Sequence, residues 1–415
     1  MISELYAIDD QLVSSYDNIV TIGIQSKVEG VWSEPVTLDP SNIVSESLEI
    51  EQSICDDQEI KIGGCIPSQL TLSLVDVTED LSGKQIVVTV QSRYHGVLYP
   101  SASLYPANDL YPGIGNSLET TDPYVLFVGP IYSCKKTSNY HIKRLIAFDR
   151  MYYASTIMCK NRVYNYLHHY DTVQFSFLKF MTDFAGQAKI HFGFKNLINA
   201  ETTLDMFDTY WQDLADNKTT FLNLYRWLCE LNGVFLIEDV PTDITSSRAH
   251  PRAIFPYQNI DRIYDILSYS INGFDYNDFI TKEIRWVQFE YNKGKKIGFF
   301  HVDPYEEYSR YDSDNLVLNS CGNWNYVKPI IENLENDMIT GAVYRYRPFK
   351  VSIFNRWWVQ VGDRVRLPTN DPEVPFIESI VLSRRIKGMY GLTVEIEAKG
   401  VEIMGKENDE EINDE

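Results

Sequence analysis

At 415 residues and 44% hydrophobic content, the chain is too long for one ordinary core and too apolar for general disorder, so roughly two to four domains are expected. A formal net charge of -21 excludes a groove that grips nucleic acid along its phosphates, which needs clustered Lys and Arg. The 28 Tyr, 20 Phe and 7 Trp favour strands and large contact surfaces, so β structure and assembly interfaces are expected.

No apolar run approaches the ~20 residues of a membrane span. Met1 to Asp10 carries early acids and no basic-then-apolar pattern, so Sec export is not expected. Cys55, Cys65, Cys134, Cys159, Cys229 and Cys321 contain no Cys-x-x-Cys pair. They read as reduced cysteines of a protein assembled in cytoplasm.

The first stretch, to about Phe148, reads as strand-rich. Leu70, Leu72 and Leu74 alternate with Thr71 and Ser73, the period of a half-buried strand. Ile86 to Val90 is a β-branched run, and Tyr124 to Val128 and His141 to Phe148 are further strand candidates. Gly63-Gly64 and Gly129-Pro130 are expected to punctuate them. Leu98-Tyr99-Pro100, Leu104-Tyr105-Pro106 and Leu110-Tyr111-Pro112 recur every six residues. Their prolines predict an extended loop, either pinned by its tyrosines or offering them to a partner.

Phe177, Leu178, Met181, Phe184 and Ala185 then share one helical face that Gly186 would close. A second helix is expected with Thr219 or Thr220 as its cap, a stripe of Leu224, Trp227, Leu228 and Leu231, and Gly233 at its end. Val234 to Ile237 and Arg252 to Phe255 read as two strands that pair across a polar loop. From about Ile260 the pattern returns to β. Ile284 to Phe289 and Ile297 to Val302 flank a hairpin turn at Asn292-Lys293-Gly294-Lys295, and one helix is expected from Tyr326 to Leu334. Trp357 to Val361, the turn Gly362-Asp363, Arg364 to Leu367, Ile377 to Leu382 and Leu392 to Ala398 predict a small closing barrel or sandwich. Lys406 to Glu415, with six acids and one Lys, reads as a solvated tail.

Phosphate-loop, His-Glu-x-x-His, Gly-x-Ser-x-Gly and zinc spacings are absent from the sequence. Side chains of His168-His169 diverge on either a strand or a helix, which makes the pair a poor chelate. No catalytic, cofactor-binding or metal-ligating residue is therefore assigned. Among so many acids a pair set for glycoside cleavage would be invisible in sequence, and this composition by itself leaves enzyme, binding module and structural part open.

The order of the central features carries a resemblance. Ala147-Phe148-Asp149-Arg150-Met151-Tyr152 ends a strand, and a Tyr-rich linker, two helices, Asn232-Gly233 and a strand follow. The closing stretch adds Val359-Gln360-Val361-Gly362-Asp363-Arg364-Val365, Ser379 to Arg384, Ile386-Lys387-Gly388-Met389 and Glu395 to Gly400. The opening adds Val44 to Leu48, Cys55 and Gly63-Gly64-Cys65. This set resembles phage tail-tip hub proteins, namely the tail-associated proteins of siphophages and the baseplate hub of contractile tails.

The resemblance implies a mainly β, α+β chain with two tube-like β-barrel domains, an α/β insert and a small closing β domain. The corresponding segments are 1–147 for the first barrel, 148–259 for the insert, 260–345 for the second tube-like domain and 346–405 for a closing segment that packs with the first. Residues 406–415 form the acidic tail. It further implies a non-enzymatic homotrimer in the virion. That trimer would join the tube or distal tail protein above to tip or receptor-binding proteins below, contact the tape-measure protein and line the DNA channel. The chain ends without a receptor-binding or peptidoglycan-cleaving extension, so neither role is expected of it. A carbohydrate-binding or cell-wall-hydrolysing tail module is the competing expectation, since Tyr and Trp stack on sugars and carboxylates cleave them.

Overall fold

A computed structural model describes residues 16–54, 63–94, 119–120, 122–159, 174–176, 185–186, 197–199, 203–205, 219–239, 243–254, 264–266, 271–276, 282–291, 294–300, 309–319, 324–340, 344–354, 356–369, 372, 375–389 and 392–403. The opening block holds β1 (Tyr16–Gln25), β2 (Lys27–Val28), β3 (Val31–Trp32), β4 (Val36–Thr37), β5 (Glu49–Ser53), β6 (Gln69–Val75), β7 (Gln85–Tyr94), β8 (Glu119–Thr120), β9 (Tyr124–Lys136) and β10 (Ile142–Phe148). The central part holds α1 (Tyr152–Thr156), β11 (Gln174–Ser176), β12 (Thr203–Asp205), α2 (Phe221–Glu230), β13 (Phe235–Glu238) and β14 (Pro251–Ile254). There follow β15 (Tyr264–Asp265), β16 (Ile271–Tyr276), β17 (Lys282–Tyr291), β18 (Lys295–Phe300), β19 (Ser309–Asp312), α3 (Leu316–Asn319) and α4 (Trp324–Thr340). The chain closes with β20 (Tyr344–Phe354), β21 (Arg364–Pro368), β22 (Phe376–Lys387) and β23 (Thr393–Ile403).

The protein is mainly β, and among the described residues 17 strands join one continuous sheet. Its backbone path runs β1–β7–β9–β10–β6–β5, crosses to β22, and passes through β23 to β20 and β17. Among the described residues no strand pairing closes this path into a ring. The sheet nevertheless curls: the stretch 36–44 reaches β1 through Leu38 N to Ile22 O (2.8 Å) and β6 through Val44 N to Ser73 O (3.0 Å).

β6 shows why the period-2 pattern folds as it does. Leu70, Leu72 and Leu74 are fully buried and the intervening residues are half-buried. They join Ile22, Ile86, Val88 and Leu145 of the opening block in one core that also takes Val351, Val365, Val381 and Ile396 of the closing block. A second core gathers Met151, Phe221, Leu224, Leu228, Leu231, Val327, Ile331 and Leu334 around α2 and α4.

The second helix forms as its sequence directs. Thr220 caps it with a capping box to Asn223, and Gly233 follows with φ +63. β13 and β14 then pair in antiparallel register, Phe235 opposite Ile254. Of the first expected helix only Ala185 and Gly186 are described, and both are helical. The helix expected from Tyr326 to Leu334 extends to Trp324 and Thr340.

Two expected boundaries are corrected. Gly129-Pro130 does not end a strand: β9 runs through it and changes neighbours there, pairing with β7 up to Pro130 and with β10 from Ile131. A proline has no N–H to donate, so it suits the point where one ladder stops. A Cβ on Gly129 would lie 1.8 Å from the Phe148 carbonyl oxygen, so the crossing requires glycine. Trp357 to Val361 is not a strand but a buried irregular stretch. Strand alternation would have left Trp358 and Gln360 outside, whereas both are buried and Trp358 belongs to the core shared by the two blocks. The expected turn at Gly362-Asp363 is present: Gly362 has φ +88 and Asp363 accepts from Gln360 N at 2.7 Å.

Candidate functional site

Among the described residues no group of three His, Cys, Asp or Glu is placed to hold a metal ion. His168-His169 and the three Leu-Tyr-Pro copies lie outside the described residues. The densest polar chemistry lies where the chain leaves β10 for the α/β insert.

There Asp149 and Arg150 sit between the half-buried Phe148 and the buried Met151. The Asp149 carboxylate accepts from Ser68 N at 2.6 Å and Met151 N at 3.0 Å, which ties the turn to the residue that leads into β6. The buried guanidinium of Arg150 donates from Nε to Glu238 Oε1 at 2.6 Å, and its Nη1 donates to the carbonyls of Asp243 and Ser246 at 3.1 and 3.0 Å. The Arg150 backbone N donates to Glu238 Oε2 at 2.5 Å. Glu238 ends β13, so one ion pair ties the turn that follows β10 to the hairpin strand of the insert.

Burial pushes the Glu238 carboxyl above the usual carboxylate range, the nearby Asp149 adds to the rise, and Arg150 opposes it. Burial also raises Asp149, against its amide hydrogen bonds. Two dry carboxylates thus share one cation. Their oxygens are spent on a guanidinium and backbone amides, an arrangement suited to fixing a joint rather than meeting a substrate.

Glycines let the backbones meet at the same joint. A Cβ on Gly63 would lie 2.4 Å from Glu230 N, and one on Gly64 would lie 1.6 Å from Ile54 O. Leu236 N donates to Gly64 O at 2.9 Å, and Cys65 bridges Leu236. Buried asparagines finish the far side: Asn315 Nδ2 donates to Trp227 O at 2.8 Å and Glu230 Oε2 at 2.7 Å, while Asn232 Nδ2 donates to Leu228 O at 2.7 Å. Leu228 O lies in the last turn of α2, where helical carbonyls lack partners, and Trp227 O takes the Asn315 bond in addition to that from Leu231 N at 3.1 Å. Burial raises the Cys65 and Cys229 thiols, so both behave as packing groups.

The closing block has its own anchor. Arg384 Nη1 donates to the carbonyls of Trp357 and Val359 at 3.0 and 2.5 Å, replacing the ladder that this irregular stretch lacks. Trp357 Nε1 donates to Asn18 Oδ1 at 3.2 Å, Gln360 Nε2 to Tyr124 OH at 2.6 Å, and Arg252 Nη2 to Val361 O at 2.9 Å.

The sequence supplies Asp149-Arg150 as a charged pair beside apolar neighbours. Glu238 carries no such mark, because its partner lies 88 residues away. Gly63-Gly64 is visible as punctuation, but its close approach to α2 is not.

No protein-family model and no curated protein matches the sequence. The fold is shared with a tail protein from Neisseria meningitidis MC58 at TM-score 0.50 and 12% identity, over 92% of this chain and 96% of that one. It is likewise shared with the 43 kDa tail protein of prophage MuSo2 from Shewanella oneidensis at TM-score 0.50 and 8% identity, over 91% of this chain and 98% of that one.

Proposed function

We propose that this chain is a structural hub of a phage or phage-like tail tip, a homotrimer in the virion that joins the tail tube to the distal tip and lines the DNA channel. The observation that carries the reading is end-to-end likeness: the fold shared with two tail proteins spans 92% and 91% of this chain. A grafted binding module would match only a part.

In this reading 1–147 and 260–345 are tube-like units, and three chains offer six of them to a hexameric tube. The insert 148–259 lies at the periphery, and 346–405 packs with the opening block. The core shared by Leu72, Val88, Val381 and Ile396 supports that last grouping. The curl of the sheet through the stretch 36–44 supports a tube-like first unit. Its partners are then the tube or distal tail protein, the tape-measure protein and the tip proteins. The buried carboxylates at the joint are committed to Arg150 and to amides, which fits a part that assembles without catalysing.

The test is the symmetry of the density layer that holds this chain in a reconstructed tail. Three copies around the axis are expected; six copies, or one copy off the axis, would sink the reading. Release of peptidoglycan fragments by the purified chain, lost on changing one acid, would replace it with a lytic module.

A further inference from the structure

β9 and β10 form a hairpin whose outer end carries Lys135, Lys136, Lys143 and Arg144. The register sets Arg144 opposite Lys135 and Lys143 opposite Lys136. Like charges directly opposed on an antiparallel pair repel, so the fold gains nothing from them. Lys143 Nζ, half-buried, donates to the Glu79 carbonyl at 3.2 Å. Lys135, Lys136 and Arg144 are exposed and make no ion pair among the described residues.

Elsewhere the same sheet supplies acids for its cations. Arg385 on β22 has Glu51 at 2.7 Å and Glu49 at 3.1 Å, and Arg366 on β21 has Glu378 at 2.5 Å. On the hairpin itself His141 meets Asp76 at 3.0 Å and Lys143 feels Asp80, so the contrast falls on Lys135, Lys136 and Arg144, where the counter-charge is left out.

Exposed aromatics flank the cations. Tyr132 at the base is 61% exposed and Tyr140 in the turn is 79% exposed. The Tyr132 ring lies 5.5 Å from Phe148 and 5.7 Å from Tyr152, and Phe148 stacks on Tyr152 at 4.8 Å. Phe148 and Arg144 are four residues apart on β10 and so face the same side. Arginine and aromatics together are the composition of interface centres.

We infer that this hairpin docks against an acidic surface of a neighbouring copy of the same chain. With 58 acids against 37 Lys and Arg, every copy offers anionic surface in excess. Two copies repel in most approaches and attract where this hairpin leads, which fixes their orientation. The contact joins two different patches, the heterologous kind that closes rings, and in that respect it rests on the hub reading. A nucleic-acid partner is disfavoured, since four cations would neutralise few phosphates within the field of a chain of net charge -21.

The test uses the full chain in sedimentation runs at about 50 mM and about 0.5 M salt, between which the screening length falls roughly threefold. Self-association is expected in low salt, weaker in high salt, and weakened about tenfold or more in the variant Lys135→Glu with Arg144→Glu, checked for an unchanged circular dichroism spectrum. Zero-length carbodiimide coupling of mixed isotope-labelled and unlabelled chains is expected to give mixed peptides joining Lys135 or Lys136 to an Asp or Glu. A chain that stays monomeric in low salt, association indifferent to salt and variant, or couplings only within one isotope would overturn the inference. So would a short DNA duplex that binds the wild type and not the variant, which would assign the patch to nucleic acid. None of these outcomes touches the hub reading, which stands or falls on the number of copies in the tail layer.

Discussion

The seam between the opening and closing β blocks is a backbone ladder, whereas the seam between the opening block and the α/β insert is mostly side chains and glycines. Across the first, β5 pairs with β22 from Ser53 opposite Ser383 to Glu49 opposite Lys387, over a shared apolar core. Across the second, the backbone contributes the Cys65–Leu236 bridge and the bond from Asp149 N to Ser68 O, the Asp149 carboxylate adds Ser68 N, and the Arg150–Glu238 pair behind it ties the turn after β10 to β13. A ladder depends on atoms that every residue carries, so single side-chain changes leave it standing. A buried ion pair depends on both partners, and its desolvation leaves a charge stranded when one is removed. The insert seam is therefore the brittle one.

The largest expected effect follows at once. Arg150→Met leaves Glu238 buried without its cation and should cost about 3–5 kcal/mol in chemical denaturation. Adding Glu238→Leu should recover most of that loss, because an apolar pair avoids the desolvation. A single-variant cost below about 1 kcal/mol would erase the distinction between the seams.

Next is Leu228→Ala, which removes a side chain 1% exposed from the insert core and should cost about 2–5 kcal/mol. A change of a few tenths would place α2 outside that core. Gly362→Val, within the closing block, forces a β-branched residue to φ +88 and should cost about 1–3 kcal/mol, read as a lowered melting temperature. An intact melt would mean the turn relaxes freely.

The pH response separates the seams more finely. Glu238 and Asp149 are raised in the fold, so each favours folding while protonated. Their contribution is present below the ordinary carboxylate range and is lost as pH rises through the raised folded values. Wild-type stability should thus fall with rising pH by up to about 1.4 kcal/mol per unit relative to Glu238→Gln, whose slope should be flatter. Parallel slopes would remove Glu238 as the titrating group. The smallest effect is expected at the ladder: Arg385→Ala strips partly exposed ion pairs with Glu49 and Glu51 and should change stability by about 0–1 kcal/mol.

Local pattern was legible in the sequence where one element fixes its own geometry. The Leu70–Leu72–Leu74 alternation, the Thr220 cap with its Leu224–Leu228–Leu231 stripe, and the Gly362-Asp363 turn each rest on neighbours within a few residues. Gly129-Pro130 misled, because the same residues that break a strand also suit one that changes partners. Trp357 to Val361, expected as part of the closing barrel or sandwich, is irregular instead. What holds it is Arg384, more than twenty residues away, whose guanidinium replaces missing ladder bonds.

By itself, then, the sequence determined a mainly β chain interrupted by an amphipathic helix and a short hairpin, since hydrophobic period and capping chemistry act over one or two turns of chain. Only the tertiary structure decided that opening and closing strands share one core, that Gly63 and Gly64 admit the insert, and that Glu238 receives Arg150. The cations of β9 and β10 likewise became one patch only through their register. These pairings join residues separated by anything from a hairpin to most of the chain. Their energy comes from desolvation and close approach, quantities that belong to the space between elements and leave no period along any one of them.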